Sequence, residues 1–179
     1  MGHIFNGDFS KLESDGRKKT LPADEILKTI NLRKGDILID FGCGIGYFSI
    51  PATNHVGGVG KVIAIDISDR MIEEMKRRTI GMDNIEIVKS DNLKGFKGDV
   101  ILIVTVLHEV DDPKAFLDQC ISSLNPKGKL VIIDWQKKET GMGPPKEHRI
   151  AKESVIKMVD KEFIEHPIND SFYFLEFRI

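Results

Sequence analysis

From Asp36 onward, short β-branched runs alternate with longer segments whose apolar residues recur at helical spacing. That alternation is the pattern of a parallel sheet covered by helices. It predicts strands near 36–41, 61–66, 85–89, 100–106 and 130–135. Between them, Asp69 to Arg78 and Pro113 to Ser123 carry the helical period, with Ser68 and Asp112 as N-caps and proline opening the second helix. Gly57-Gly58-Val59-Gly60 and Asn125-Pro126-Lys127-Gly128 punctuate the chain as loops before the second and fifth strands. The link from Ser90 to Asp99 is too short for a crossover helix, so a turn is expected there.

The two ends of the chain read differently. Lys152 to Lys161 has the spacing of a helix with Val155, Met158 and Val159 turned inward. Phe163-Ile164 and Phe172-Tyr173-Phe174-Leu175-Glu176-Phe177 follow as strands around a turn at Asn169-Asp170, and strands joined so closely pair antiparallel. Toward the N-terminus a helix is expected from Ala23 to Ile30, behind Pro22.

The densest chemistry closes the first strand. Ile37-Leu38-Ile39 runs into Asp40-Phe41-Gly42-Cys43-Gly44-Ile45-Gly46-Tyr47, and the apolar spacing of Tyr47-Phe48-Ser49-Ile50 continues as a helix. A strand, a tight glycine turn and a helix N-terminus make a nucleotide site, because glycines admit close backbone approach and the helix presents free N–H groups. A dinucleotide fingerprint, G-x-G-x-x-G, requires a third glycine where Tyr47 stands. Asp40 is also hostile to a diphosphate and suited to an ammonium group, so the loop fits a zwitterion better. The plain alternative is a glycine-rich left-handed turn without a ligand.

Ligands of an open parallel sheet sit beyond the carboxyl ends of its strands, where strand order reverses. Four strand ends therefore point at one cleft: Asp40 with the loop, Asp66 after Val62-Ile63-Ala64-Ile65, Ser90-Asp91-Asn92, and Val104-Thr105-Val106-Leu107-His108. The Asp66 carboxylate is placed to accept both hydroxyls of a ribose.

With an acid, G-x-G-x-G, and a second acid ending the next strand, the chain resembles motif I of the class I S-adenosylmethionine (SAM)-dependent methyltransferases. The resemblance implies a Rossmann-like α/β three-layer sandwich, whose mostly parallel seven-stranded sheet has order 3-2-1-4-5-7-6 and an antiparallel last strand. It implies SAM as cofactor. Matching positions would hold the amino-acid part of the cofactor (Asp40, Gly42, Cys43, Gly44 and Tyr47), the ribose (Asp66) and the adenine (Asp91 and Asn92, with Ile67 and Met71 packing on the ring). Val104 and Thr105 complete the cleft from the fourth strand, and Cys43 is expected to pack and to do no thiol chemistry.

Val106-Leu107-His108-Glu109-Val110-Asp111-Asp112-Pro113 resembles the segment after the fourth strand in the type 11 group, which includes the ubiquinone and menaquinone C-methyltransferases. Ile133-Asp134-Trp135 and Gly143-Pro144-Pro145-Lys146-Glu147-His148-Arg149 resemble a largely prokaryotic subset of that group. Arsenite methyltransferases hold arsenic with several cysteines, a pattern that Cys43 and Cys120 do not match.

Composition narrows the setting. A chain of 179 residues fits one domain, with residues 1–35 as an N-terminal segment and helix. The net charge of −2 and scattered basic residues offer no stripe for a nucleic-acid backbone. Met1-Gly2-His3-Ile4-Phe5 lacks the pattern of a signal peptide and no apolar run is long enough for a bilayer, so a cytoplasmic protein is expected. Two cysteines imply neither a disulfide framework nor a zinc cluster.

Methyl transfer mostly requires alignment and exclusion of water, with a base where the nucleophile is an oxygen or carbon acid. His108, beside Glu109, is the candidate base; the alternative is a histidine that orients its loop. His148 and Arg149 are candidates for contact with an anionic acceptor, or else a solvated basic pair. The N-terminal segment, with Phe5, Phe9, Arg17, Lys18 and Lys19, is the candidate lid, since the loop Gln136 to Glu147 is short. A small lid implies a small or surface-bound acceptor: a small molecule is expected, and an exposed side chain of a protein is the alternative. Two rival readings are a nicotinamide-dependent oxidoreductase, disfavoured by Tyr47 and Asp40, and a SAM-binding regulatory module without turnover.

Overall fold

Alternation of side chains along the strands builds two cores, one on each face of a single sheet. The computed structural model describes residues 9–139 and 141–179, so Met1 to Phe5, read above for a signal peptide and a lid aromatic, lies outside the described residues. The elements run α1 (Asp15–Thr20), α2 (Ala23–Thr29), β1 (Ile37–Phe41), α3 (Ser49–Val56), β2 (Lys61–Asp66), α4 (Asp69–Arg78) and β3 (Ile85–Lys89). They continue β4 (Gly98–Val104), α5 (Pro113–Ser122), β5 (Leu124–Trp135), α6 (Lys152–Val159), β6 (Phe163–Glu165) and β7 (Phe172–Arg178). The sheet has the expected order β3-β2-β1-β4-β5-β7-β6. β7 runs antiparallel to both β5 and β6, while the other pairs are parallel.

Ile39, Ile63, Ile101 and Ile132 face one way and pack under Phe116, Leu117 and Cys120 of α5 and Val155 and Val159 of α6. Leu38, Val62, Leu102 and Val131 face the other way, against Ile26 and Leu27 of α2 and Ala52 and Val56 of α3. Both faces of the parallel strands are thus covered, which is why those strands read as continuous apolar runs.

Several boundaries moved for identifiable reasons. α4 spans the predicted residues, and both Ser68 and Asp112 cap their helices through side-chain oxygens. β4 stops at Val104, two residues early, because Thr105 adopts a left-handed φ of 56°. α3 begins at Ser49, where apolar spacing alone suggested Tyr47. Asn125 to Gly128, expected as a loop before β5, is a bulge within it: Gly98 pairs with Leu124, then Val100 with Lys129. α6 ends at Val159, before Asp160 in the left-handed conformation. Met158 is only partly buried. The Ser90 to Asp99 link contains no helix, as its length required.

Candidate active site

The three glycines of the loop have separate jobs. A Cβ on Gly42 would meet Val106 Cγ2 at 2.3 Å, and one on Gly46 would meet Met75 Sδ at 2.4 Å; both residues have positive φ. These two let the loop pack against the segment after β4 and against α4. Gly44 shares the positive φ, at 55°, but a Cβ on it would meet only Leu12 Cδ1, in ordinary contact at 4.0 Å, and both residues line one cavity. Gly44 is therefore the loop glycine that no packed side chain requires. Cys43 is buried between them, and burial pushes its thiol pKa up.

Asp66 pins the loop from the end of β2. Its Oδ2 accepts from the Gly44 N–H at 2.8 Å and its Oδ1 from the Ser68 N–H at 2.9 Å. Each carboxylate oxygen retains a lone pair, and the residue lines the cavity with Ile67, Met71 and Asp91. Asn92 does not reach the cavity wall: its Nδ2 donates to Asp91 Oδ1 and its Oδ1 accepts from the Lys94 N–H, so the amide is consumed in the turn.

Asp40 is likewise absent from the wall and lies just behind it. Its buried Oδ2 accepts from Ser49 Oγ at 2.5 Å, a bond that explains the start of α3. Burial pushes the Asp40 pKa up to about 6, opposed by the Ser49 hydrogen bond, with the Asp66 charge adding to the rise.

Across the loop stands His108, on a 3₁₀ turn after β4. Its Nδ1 lies 2.7 Å from Asp134 Oδ1, and its backbone N–H donates to Asp134 Oδ2 at 3.2 Å. Asp134 is the penultimate residue of β5 and is 1% exposed. Sequence reasoning gave Asp134 no role, although an acid inside the apolar end of a strand adjacent to β4 was a usable signal. Glu109 Oε1 stands 3.8 Å from His108 Nε2. Burial lowers the His108 pKa, but the hydrogen bond and charge of Asp134, with the Glu109 charge, outweigh it and leave the pKa raised.

Trp135 anchors the loop after β5. Its ring stacks on Phe172 at 4.3 Å, and a Cβ on Gly143 would meet it at 2.8 Å. Arg149 is neither solvated nor placed to meet an acceptor. Buried over Trp135, it donates from Nε to Pro144 O, from its terminal nitrogens to Gln136 O, Lys138 O and Met142 O, and so shapes that loop. His148 is exposed away from the cavity.

One cavity of about 960 Å³ joins these parts. Its wall holds the predicted Gly42, Cys43, Gly44, Tyr47, Asp66, Ile67, Met71, Asp91, Val104, Thr105 and His108. The N-terminal segment roofs it with Leu12, Ser14 and Arg17, and the loop after β5, judged too short to contribute, adds Met142, Gly143 and Pro144. A family model described as a methyltransferase domain matches residues 32–171. The chain belongs to that family.

The expected class I SAM-dependent methyltransferase is thereby borne out. Among curated relatives, this chain is 32% identical over 113 residues to a demethylmenaquinone methyltransferase of Staphylococcus saprophyticus, covering 61% of this chain and 48% of that one. The Staphylococcus aureus counterpart is 31% identical over the same length, so the chain spans about half the length of the curated relatives it matches. A SAM-dependent methyltransferase from Aquifex aeolicus superposes with a TM-score of 0.87 at 26% identity, covering 99% of this chain and 100% of that one. The N-methyltransferase NodS from Bradyrhizobium japonicum, solved with S-adenosyl-L-homocysteine (SAH), shares the fold with a TM-score of 0.74 at 18% identity over 97% and 93% of the two chains. No helix among the described residues is long and apolar enough to cross a membrane.

Proposed function

We propose that this methyltransferase carries a methyl group from SAM to a small, largely apolar, ring-bearing acceptor, with His108 receiving the acceptor's proton. The observation that carries the reading is a single trough running from Asp91, Asp66 and the glycine loop to a His108–Asp134 pair beside Trp135, Phe172 and Phe116. Apart from Phe116 of α5, these residues lie at the carboxyl ends of β3, β2, β1, β4 and β5 and at the start of the antiparallel β7. Five inter-strand steps at about 4.8 Å make a trough on the order of 24 Å long, enough for a nucleoside, its amino-acid tail and an acceptor end to end.

The residues present fit the cofactor. Asp66 keeps lone pairs for a ribose, Ile67 and Met71 line the cavity with Asp91, and Gly44, whose N–H is held by Asp66, brings the loop backbone to the cavity wall without a side chain. Asp40, behind the loop, sets negative charge where an ammonium group would lie. SAM supplies a methyl group already activated by its sulfonium for in-line displacement. His108 donates Nδ1–H to Asp134 in this reading, which leaves the Nε2 lone pair to take the acceptor's proton as the new bond to the methyl carbon forms. Trp135, Phe172 and Phe116 exclude water, and the demethylmenaquinone named for the curated relatives favours a ring in that space.

Thermal unfolding with SAH and with NAD tests the cofactor, and SAH alone is expected to stabilise the chain. Labelled-methyl transfer to panels of quinols, phenols and amines tests the acceptor. Transfer only to aliphatic amines would overturn the acceptor class, and tight SAH binding with no transfer to any panel would leave a binding module. The glycines give an internal control. Gly42→Ala should cost about 1–3 kcal/mol of stability through its overlap with Val106. Gly44→Ala strains the backbone at its φ of 55° but displaces no packed side chain, so it should lose less stability than Gly42→Ala, yet lose most of the SAH-induced shift. Equal behaviour of the two variants in both measurements would remove the ligand role assigned to Gly44.

A further inference from the structure

Two buried side-chain atoms lack a hydrogen-bond partner among the described residues, Arg17 Nε in the cavity roof and Tyr173 Oη in the core. Tyr173 belongs to β7, is 1% exposed, and packs in the same apolar cluster as Leu117 and Cys120 of α5 and Val155 and Val159 of α6. Phenylalanine would fill that space as Phe177 does, four residues along the same face of the strand. A buried hydroxyl that forms no hydrogen bond opposes folding, so packing does not account for the phenol oxygen.

Sheet register places that oxygen beside the acid of the active site. Tyr173 stands directly opposite Asp134 in the antiparallel β5–β7 pair. Directly opposed side chains rise from the same face of a sheet, with Cβ atoms about 5 Å apart. Burial raises the Tyr173 pKa and the Asp134 charge raises it further, so the phenol keeps its proton and remains a donor. The two oxygens of Asp134 are unevenly served. Oδ1 accepts from His108 Nδ1 and from the Trp135 N–H, each at 2.7 Å, whereas Oδ2 accepts from the His108 N–H at 3.2 Å. Oδ2 therefore has a lone pair to spare, and Tyr173 has a proton to share.

We propose that Tyr173 is a positioning residue for methyl transfer, its buried O–H turned toward Asp134 Oδ2 so that the carboxylate stays in line with His108 Nδ1. The inference rests on His108 being the base in the function proposed above. The hydroxyl hydrogen is free to rotate, and Asp134 is the charge that orients it. As the imidazole takes the acceptor's proton, positive charge appears on the ring while Asp134 stays anionic and Tyr173 keeps its own proton. A donor on the second oxygen fixes the carboxylate through that change. It also offsets part of the Asp134 charge, and so tempers the basicity that Asp134 confers on His108. Two further charges act on the same ring: Glu109 of the 3₁₀ turn adds to that basicity and Arg149 of the loop after β5 opposes it.

Tyr173→Phe keeps the ring and deletes the donor. NMR titration of the His108 ring, assigned by its loss in His108→Ala, reads the contact without an acceptor substrate. Proton affinity of His108 is expected to rise about 3- to 10-fold in Tyr173→Phe, an upward shift of about 0.5 to 1 pH unit, opposite in sign to the fall expected in Asp134→Asn. With Asp134 already replaced by asparagine, Tyr173→Phe should move the titration no further, because the charge it acts on is gone. Tm and SAH affinity should be nearly those of the parent. On an acceptor found in the panels, kcat should fall several-fold with KM unchanged. An unmoved His108 titration in Tyr173→Phe, or the same shift in the Asp134→Asn background, would overturn the proposal, as would an unchanged kcat. Normal turnover in His108→Ala would instead sink the assignment of the base, and this proposal with it.

Discussion

His108→Ala is expected to lower methyl transfer roughly 10²- to 10⁴-fold, the range for losing a positioned base, while SAH affinity changes little. The imidazole meets Asp134 at Nδ1 and Glu109 near Nε2, so its removal takes away a proton acceptor on the acceptor side of the cavity and leaves the glycine loop and Asp66 alone. The pH profile separates base from scaffold. A base must be neutral, and the His108 pKa is raised above the ordinary 6.5, so the acid limb of turnover should lie above that value. Asp134→Asn removes the main cause of the rise and leaves burial, which lowers the pKa, so its limb should move to lower pH even as the rate falls. Stability should follow the same linkage. A folded-state pKa above the unfolded one contributes stability that is full below about 6.5 and lost as pH rises through the folded value, and Asp134→Asn should flatten that slope. An unmoved acid limb in Asp134→Asn, or a His108→Ala enzyme with normal turnover, would demote the pair to a loop fastening.

Asp40→Asn is expected to remove a pH-dependent penalty on the unliganded protein of about 3 kcal/mol above pH 7, less what its amide loses beside the Ser49 donors. The buried Asp40 carboxyl has its pKa pushed up to about 6 from 3.8, chiefly by burial. Stability from such a group is fully present below about 3.8 and lost as pH rises through about 6. The difference between the two values sets the size of the loss at neutral pH. Asparagine keeps the shape and an oxygen for Ser49 Oγ but carries no charge, so its advantage in Tm should be large at pH 7.5 and vanish near pH 4. The same variant should bind SAH more weakly, because the ammonium loses its counter-charge, a trade of stability for function. A variant no more stable than the parent at pH 7.5 would show that the carboxylate is not strained by burial. Added stability with undiminished SAH affinity would remove Asp40 from the cofactor site.

Local patterns were legible where one element settles its own limits. α4 begins at its Ser68 cap and ends after the basic turn Lys76-Arg77-Arg78. The central strands announce themselves because both of their faces are buried. Three positions resisted such reading. Ser49 starts α3 because Asp40, nine residues earlier, takes its hydroxyl. Thr105 ends β4 in a left-handed conformation, with its N–H donating to Ile133 O at 2.8 Å on the neighbouring strand. Arg149 looked like a surface cation and is an internal brace, because its partners are carbonyls whose positions only the folded loop defines.

By itself the sequence determined the family, through the resemblance of its loop to motif I, and the order of strands and helices along the chain with the strand ends that meet at one cleft, because hydrophobic period is local and the carboxyl-edge rule builds on it. Tertiary structure alone decided that Gly42 packs against Val106 while Gly44 meets only Leu12 across the cavity lining, that Asp134 holds His108, and that Asn92 stays outside the cavity. It alone left the Arg17 Nε without a partner above the loop among the described residues. Each of these depends on which residues distant in the chain are brought within hydrogen-bond reach, and packing between elements sets that distance where no periodicity along the chain records it.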